Sequence, residues 1–214
     1  MKILEINSVC GIGSTGRICT DIAKVLSENN HECYIAYGRE KAPREFEHIA
    51  KRIGNNSDVN FHVIESRIFD NSGFGSKRAT KQFIKWINEL NPDIIHLHNI
   101  HGYYINVEIL FNFLKEFNKP VIWTLHDCWS FTGHCTYFDF VSCNKWKNNE
   151  CGSCPQKMKY PSSLFFDSSS KNYEKKKHLF NSIDNLTIVT PSKWLALLVG
   201  QSFLKELDLS LIHI

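Results

Sequence analysis

Four short stretches of this chain carry residue types whose spacing suits chemistry. The first is Gly11-Ile12-Gly13-Ser14-Thr15-Gly16-Arg17. Closely spaced glycines let backbone N–H groups approach an anion, a helix N-terminus behind them adds partial positive charge, and Ser14, Thr15 and Arg17 add donors. The spacing is literally G-x-G-x-x-G, so a dinucleotide site is a rival reading, with Arg39 suited to the 2′-phosphate of NADP. Against it, the glycines begin late, after Ser8-Val9-Cys10, and Tyr37-Gly38-Arg39-Glu40 sets no acid clearly against a ribose. A plain β–α turn is the third reading.

The second stretch, His96-Leu97-His98-Asn99-Ile100-His101, lies at the end of an apolar run. Period-two alternation puts His96 and His98 on one face of a strand. No carboxylate sits at a supporting spacing for a metal, and the alternative is imidazoles hydrogen-bonded within a buried strand. His98, Asn99 and His101 fall where open α/β sheets bind ligands, beyond the carboxyl ends of strands. The third, Thr124-Leu125-His126-Asp127, offers His126 as a hydrogen-bond donor to a polar ligand. Asp127 would fix its tautomer or cap the following turn. A serine hydrolase is excluded, because no G-x-S-x-G occurs.

The fourth is Cys135-x7-Cys143-x7-Cys151-x2-Cys154. A C-x2-C pair presents two thiolates on one turn, and two upstream cysteines complete a tetrahedral structural zinc site, with Cys128 and His134 in reserve. Free thiols or disulfides are the alternatives. Four thiolates would leave no open position, so a catalytic zinc is not expected.

These stretches need elements to position them. Ile3 to Val9 reads as a strand, Ile18, Ile22, Ala23, Val25 and Leu26 as a helix face, and Cys33 to Tyr37 as a second strand. That is a β-α-β unit and the mark of a parallel sheet. Phe61 to Phe69 is a candidate helix, and 71–75 a loop. A helix capped by Ser76 carries Phe83, Ile84, Ile87 and Leu90, and ends at Asn91-Pro92. Strands at 93–98 and 121–125 flank a helix over 105–117. Residues 127–165 break the alternation and are long for a loop without its own stabiliser. A helix over 170–182, a strand over 186–189, a helix from Ser192 and an apolar, buried-looking strand over 209–214 complete the chain. The expected fold is α/β, a Rossmann-like, mostly parallel sheet with helices on both faces and a cysteine-rich irregular insertion.

Composition sets the limits. The 214 residues include 43% hydrophobic and 22% charged residues, ordinary for a globular protein. A formal charge of +3 is too mild to imply nucleic acid, and Lys175-Lys176-Lys177 reads as a solvated helix face. Neither a signal peptide nor a membrane-length apolar run is present, so a cytoplasmic location is expected, where clustered cysteines favour metal or free thiols.

Taken together, Gly13 to Ile18, Pro92-Asp93-Ile94-Ile95-His96-Leu97-His98-Asn99, Thr124 to Asp127, Trp129 to Cys135, Cys151-Gly152-Ser153-Cys154-Pro155-Gln156 and Thr190-Pro191-Ser192-Lys193-Trp194-Leu195 resemble family-four glycosyltransferases, in the branch of colanic-acid and other exopolysaccharide enzymes. The resemblance implies a retaining GT-B enzyme that moves a sugar from a nucleotide-sugar donor to a saccharide or lipid-linked saccharide acceptor, without a catalytic metal. It implies that residues 1–214 form the N-terminal, acceptor-side domain, with the cysteine-rich insertion at 127–165, and that the C-terminal donor-binding domain is absent, leaving the fragment inactive. The loop Gly11 to Arg17 would lie near the donor phosphates, His126 would touch the donor sugar beside Asp127, and His98, Asn99 and His101 would line the acceptor cleft. Peripheral association with the inner membrane would follow from a lipid-linked acceptor. The competing readings are an NADP-dependent oxidoreductase and a zinc-stabilised binding module that docks through Trp129, Phe131, Tyr137, Phe138 and Phe140.

Overall fold

In a computed structural model that describes residues 1–212, the first strand, β1 (Lys2–Asn7), is buried along nearly its whole length. It leads into α1 (Gly13–Glu28) and β2 (Glu32–Tyr37), the expected first unit. There follow β3 (Ala50–Arg52), α2 (Asn56–Phe69), α3 (Lys77–Leu90), β4 (Ile94–Leu97), α4 (Val107–Glu116) and β5 (Val121–Thr124). After the irregular segment come α5 (Ser169–Phe180), β6 (Leu186–Thr190), α6 (Lys193–Val199) and β7 (Asp208–Leu211). All seven strands pair in parallel, in the order β3-β2-β1-β4-β5-β6-β7. The order reverses between β1 and β4, and a crevice opens at such a switch point beyond the strand ends.

Alternation within the strands sends side chains to opposite faces. Ala36 of β2 joins the main core with Leu4, Ile6, Leu97, Phe111, Trp123 and Phe180. Its neighbours Cys33, Ile35 and Tyr37 join a second cluster with Cys10, Cys19, Ala23, Ala42 and Phe46. Three of the eight cysteines are therefore small apolar core residues, and burial raises their thiols, Cys10 to about 11.

Several expectations are corrected. The buried face of α1 is Gly16, Cys19, Thr20 and Ala23, while Val25 is exposed. Small residues let α1 approach closely: a Cβ on Gly16 would stand 3.1 Å from the Gly11 nitrogen. The short strand β3 was not anticipated, because Ala-Lys-Arg on a sheet edge has no apolar alternation. Helix α2 begins ahead of Phe61, at a capping box in which Asn55 accepts from Ser57 and Asp58 while Asp58 accepts from Asn55. Ser76 precedes α3 but does not cap it; its φ is 50° and its hydroxyl instead bonds His62 and Tyr103. The terminal strand β7 is an exposed edge, and residues 213 and 214 lie outside the described residues.

The segment 127–165 contains only three short 3-10 turns, at Trp129–Phe131, Asp139–Val141 and Lys145–Lys147. Trp129, Phe131, Phe138 and Trp146 are buried together as its small core, whereas Tyr137 and Phe140 are exposed. Lys176, expected in solvent, is instead buried beneath this segment, with Nζ donating to the carbonyls of Trp129 (2.8 Å) and Thr132 (3.0 Å). No helix of the described residues is long and apolar enough to cross a membrane.

Candidate functional site

Strands β1, β4 and β5 are adjacent and parallel, so the segments that leave their carboxyl ends share one rim. Asn7, the last residue of β1, ties them together. Its amide nitrogen donates to the Thr15 hydroxyl (3.3 Å) and to the Val9 carbonyl (2.8 Å), and its amide oxygen accepts from the Asn99 backbone (3.2 Å). The glycine loop is thus fastened to the end of β4.

Within that loop the glycines have different tasks. Gly11 has φ 69° and spends its N–H on the Gly16 carbonyl (2.9 Å), so it shapes the turn and does not offer a free donor. Gly16 is buried against Val9 and Gly11 of the loop itself. Gly13 opens α1 with φ 64°, and a Cβ there would meet nothing within 4 Å. Gly13, Ser14 and Arg17 are therefore the exposed residues at the helix N-terminus, where an anion could be held.

Beneath the rim lies a residue that sequence reading missed. Glu5 is fully buried on β1 and accepts from both strand histidines, His96 Nδ1 at 3.1 Å and His98 Nε2 at 2.6 Å. No local spacing connects residue 5 with residues 96 and 98; only the β1–β4 register, which pairs Glu5 with His96, does so. Burial opposes ionisation of Glu5, but the hydrogen bonds and charges of His96, then His98, outweigh it and hold its carboxyl down at about 2. Burial chiefly, with the His96 charge, keeps His98 below the usual imidazole range against the pull of Glu5. Among the described residues, Glu5, His96 and His98 are the trio whose ligand atoms fall within 4.8 Å of one another. They are already saturated: His96 Nε2 meets the Thr124 hydroxyl (2.8 Å) and His98 Nδ1 meets His126 Nε2 (3.1 Å).

The chain of bonds has one consistent proton assignment. A carboxylate only accepts, so His98 carries its proton on Nε2 and accepts at Nδ1. His126 must then donate from Nε2, which leaves its Nδ1 as an acceptor. The expected donor is corrected to an acceptor. Burial, reinforced by the neighbouring His98, lowers His126 to about 4, so it is neutral at pH 7.

Asp127 does not bond His126. One of its oxygens accepts from the Trp129 backbone (2.9 Å), capping the turn, and the other accepts from His101 Nε2 (2.8 Å). Burial is outweighed by His101, and the Asp127 carboxyl is held below its usual range. His101 in turn meets the Tyr160 hydroxyl (3.3 Å) and packs on Trp129. Two polar chains thus run side by side, Glu5–His98–His126 and Tyr160–His101–Asp127. Between them the cavity measures only about 10 Å³, so the rim is an open wall, not an enclosed pocket. A larger cleft of about 450 Å³ lies further along, lined by Arg39, Glu40, Lys41, Arg52 and Asn56 near the ends of β2 and β3.

The four cysteines do share one neighbourhood. Cys135, Cys143, Cys151 and Cys154 all line a cavity of about 20 Å³ closed by Trp146. His134 borders it, but both its nitrogens are engaged, by Asp70 (2.5 Å) and the Lys159 carbonyl (3.4 Å). Cys128 is buried apart from that cavity.

A doubly wound parallel sheet with polar turns gathered at its switch point defines a Rossmann-like domain of the GT-B type. A family model for Glycosyltransferase Family 4 matches residues 15–201, and the chain belongs to that family. It is 26% identical over 172 residues to the Escherichia coli (strain K12) protein named "Putative colanic acid biosynthesis glycosyl transferase WcaC", covering 75% of this chain and 41% of that protein. The sucrose-phosphate synthase of Thermosynechococcus elongatus has the same fold, with a TM-score of 0.52 at 10% identity over 99% of this chain and 47% of its own. The chain thus spans less than half the length of either protein.

Proposed function

We propose that this chain forms the acceptor-side wall of a retaining glycosyltransferase that moves a sugar from a nucleotide donor to a saccharide of a surface polysaccharide. The observation that carries the reading is the meeting of the Gly13 helix terminus, the His98-Asn99 turn and His126 on one rim, at the sheet's switch point. Likeness to WcaC supports the polysaccharide class.

In this reading the open N-terminus of α1 faces the donor diphosphate, and Ser14 and Arg17 add donors to it. His126, neutral and with Nδ1 free to accept, orients a hydroxyl of the donor sugar. Glu5 acts through His98 to hold that tautomer, while Asp127 and His101 brace the turn that carries His126. An open wall is what a two-walled cleft requires, since a second wall must supply the rest of the diphosphate grip. Arg39 and Arg52, with Lys41 beside them already paired to Glu47, suit an acceptor carrying phosphate, such as a lipid-linked saccharide at the cytoplasmic membrane face.

The test is chemical-shift mapping of the chain with a panel of sugar nucleotides and with NADPH. Sugar nucleotides are expected to shift Gly13 to Arg17 and His126 at millimolar concentrations. Tight NADPH binding that shifts Gly13 and Arg39 together would sink the transferase reading in favour of a dinucleotide site.

A further inference from the structure

The cysteine-rich segment raises a question that the rim does not answer: what holds about forty residues in place with so little regular structure. Four thiols from three stretches of the segment line its small cavity, those of Cys151 and Cys154 from a single turn. The turn that bears the C-x2-C pair is held from outside. Lys145 Nζ donates to the carbonyls of Gly152 (2.8 Å) and Ser153 (3.3 Å), and Asp167 accepts from the Cys154 backbone (2.6 Å). The Trp146 indole donates to the Cys143 carbonyl (3.0 Å).

Two backbone donors face sulfur. The Gly133 N–H points at Cys151, and the Gln156 N–H at Cys154. The second observation is independent of the cysteines. Lys176 is buried, its ammonium lies 3.5 Å from the Trp129 ring centroid, and it forms no ion pair with a carboxylate among the described residues. Burial lowers the Lys176 ammonium to about 7, against the pull of Asp70, Cys135 and Cys151, so an anionic centre beside it would hold it charged. The Thr132–Gly133 peptide connects the two features, since its carbonyl accepts from Lys176 while its N–H faces Cys151.

We propose that Cys135, Cys143, Cys151 and Cys154 bind one structural zinc ion, and that Lys176 is the buried counter-charge to the resulting four-thiolate centre. Zinc with four thiolates carries a net charge of about −2, which a single buried ammonium partly offsets. No three of the four sulfurs lie within 4.8 Å of one another, so binding must draw them in to about 2.3 Å from the ion. The ion then crosslinks residues 135 to 154 and roofs the wall that ends in Trp129 and Asp127. This inference concerns the insertion alone and stands or falls separately from the transferase reading.

Metal analysis of the purified chain is expected to find about one equivalent of zinc. Cobalt substituted for it should show the intense ligand-field and thiolate charge-transfer bands of a tetrahedral sulfur site. Chelation should lower the melting temperature by several degrees. Cys143→Ser should lose the metal, whereas Glu5→Gln and Cys10→Ala should keep it. Zinc below about a tenth of an equivalent in the unmodified chain overturns the proposal. So does an octahedral cobalt spectrum, or zinc that survives Cys143→Ser and disappears in Glu5→Gln. Because the unmodified chain supplies the first two readouts, a variant that fails to fold does not shelter the idea.

Discussion

Glu5 has no exposed surface and two imidazole partners, so its charge is sustained only by the hydrogen bonds it accepts. Glu5→Gln keeps the shape but turns an N–H towards an N–H. The expected cost is about 2–4 kcal/mol in urea unfolding, the range for leaving a buried polar group unpaired. The same variant tests the relay. Nitrogen-15 spectra of the histidine side chains should show His126 as the Nε2–H tautomer in the parent and as a mixture in the variant. His101, on the separate chain to Asp127, should not change. An unchanged His126 in Glu5→Gln would refute the relay even if stability falls.

Acid sensitivity belongs to the residue scale as well. His62 and His126 are both lowered from 6.5 to about 4, chiefly by burial. In the window between those values the unfolded chain binds the extra protons, so stability is complete above about pH 6.5 and falls on acidification towards pH 4. Each group contributes at most about 3 kcal/mol over that span. Glu5 adds a second loss, from pH 4.5 down to about 2. Unfolding free energies measured from pH 7.5 to pH 4 should therefore decline steadily, and a flat profile would contradict the buried neutral state of these histidines.

At the scale of elements, the glycine loop separates shape from contact. Gly11 has a left-handed backbone, and a Cβ there would meet the Pro43 ring at 2.7 Å, so Gly11→Ala is expected to cost about 2–4 kcal/mol. Gly13 is equally left-handed but faces open space. Gly13→Ala should cost only about 1 kcal/mol while abolishing the sugar-nucleotide shifts at the α1 terminus. Retained binding in Gly13→Ala would remove the anion role of this terminus. The start of α2 is a simpler case. Asn55→Ala removes two accepted hydrogen bonds of the capping box and should lower stability by about 1 kcal/mol, read by thermal or chemical melting.

For the whole molecule, the decisive arrangement is the reversal of strand order between β1 and β4. It sets the first loop beside the end of the fourth strand, where open parallel sheets bind ligands. The rim is shallow, with a cavity of about 10 Å³, while the basic cleft at Arg39 and Arg52 is far larger. Size alone would point to the basic cleft; the convergence of polar groups is the ground on which the rim is proposed as the site. Both clefts lie beyond the carboxyl ends of the strands.

What the amino-acid order determined by itself was the succession of strands and helices apart from the edge strand β3, the parallel sheet, and the three polar turns at 11–17, 98–101 and 126–127. These are local properties: apolar period, glycine spacing and turn residues act over a few positions. The family likeness was legible for the same reason, since its motifs are short runs in fixed order. Tertiary structure alone decided that Glu5 is the partner of His96 and His98, that Asp127 serves His101 and not its neighbour His126, and that Lys176 leaves its lysine run for the interior. Each of these pairings joins residues dozens of positions apart. They depend on strand register and on which small residues allow close packing, and neither is written in any local pattern of the chain.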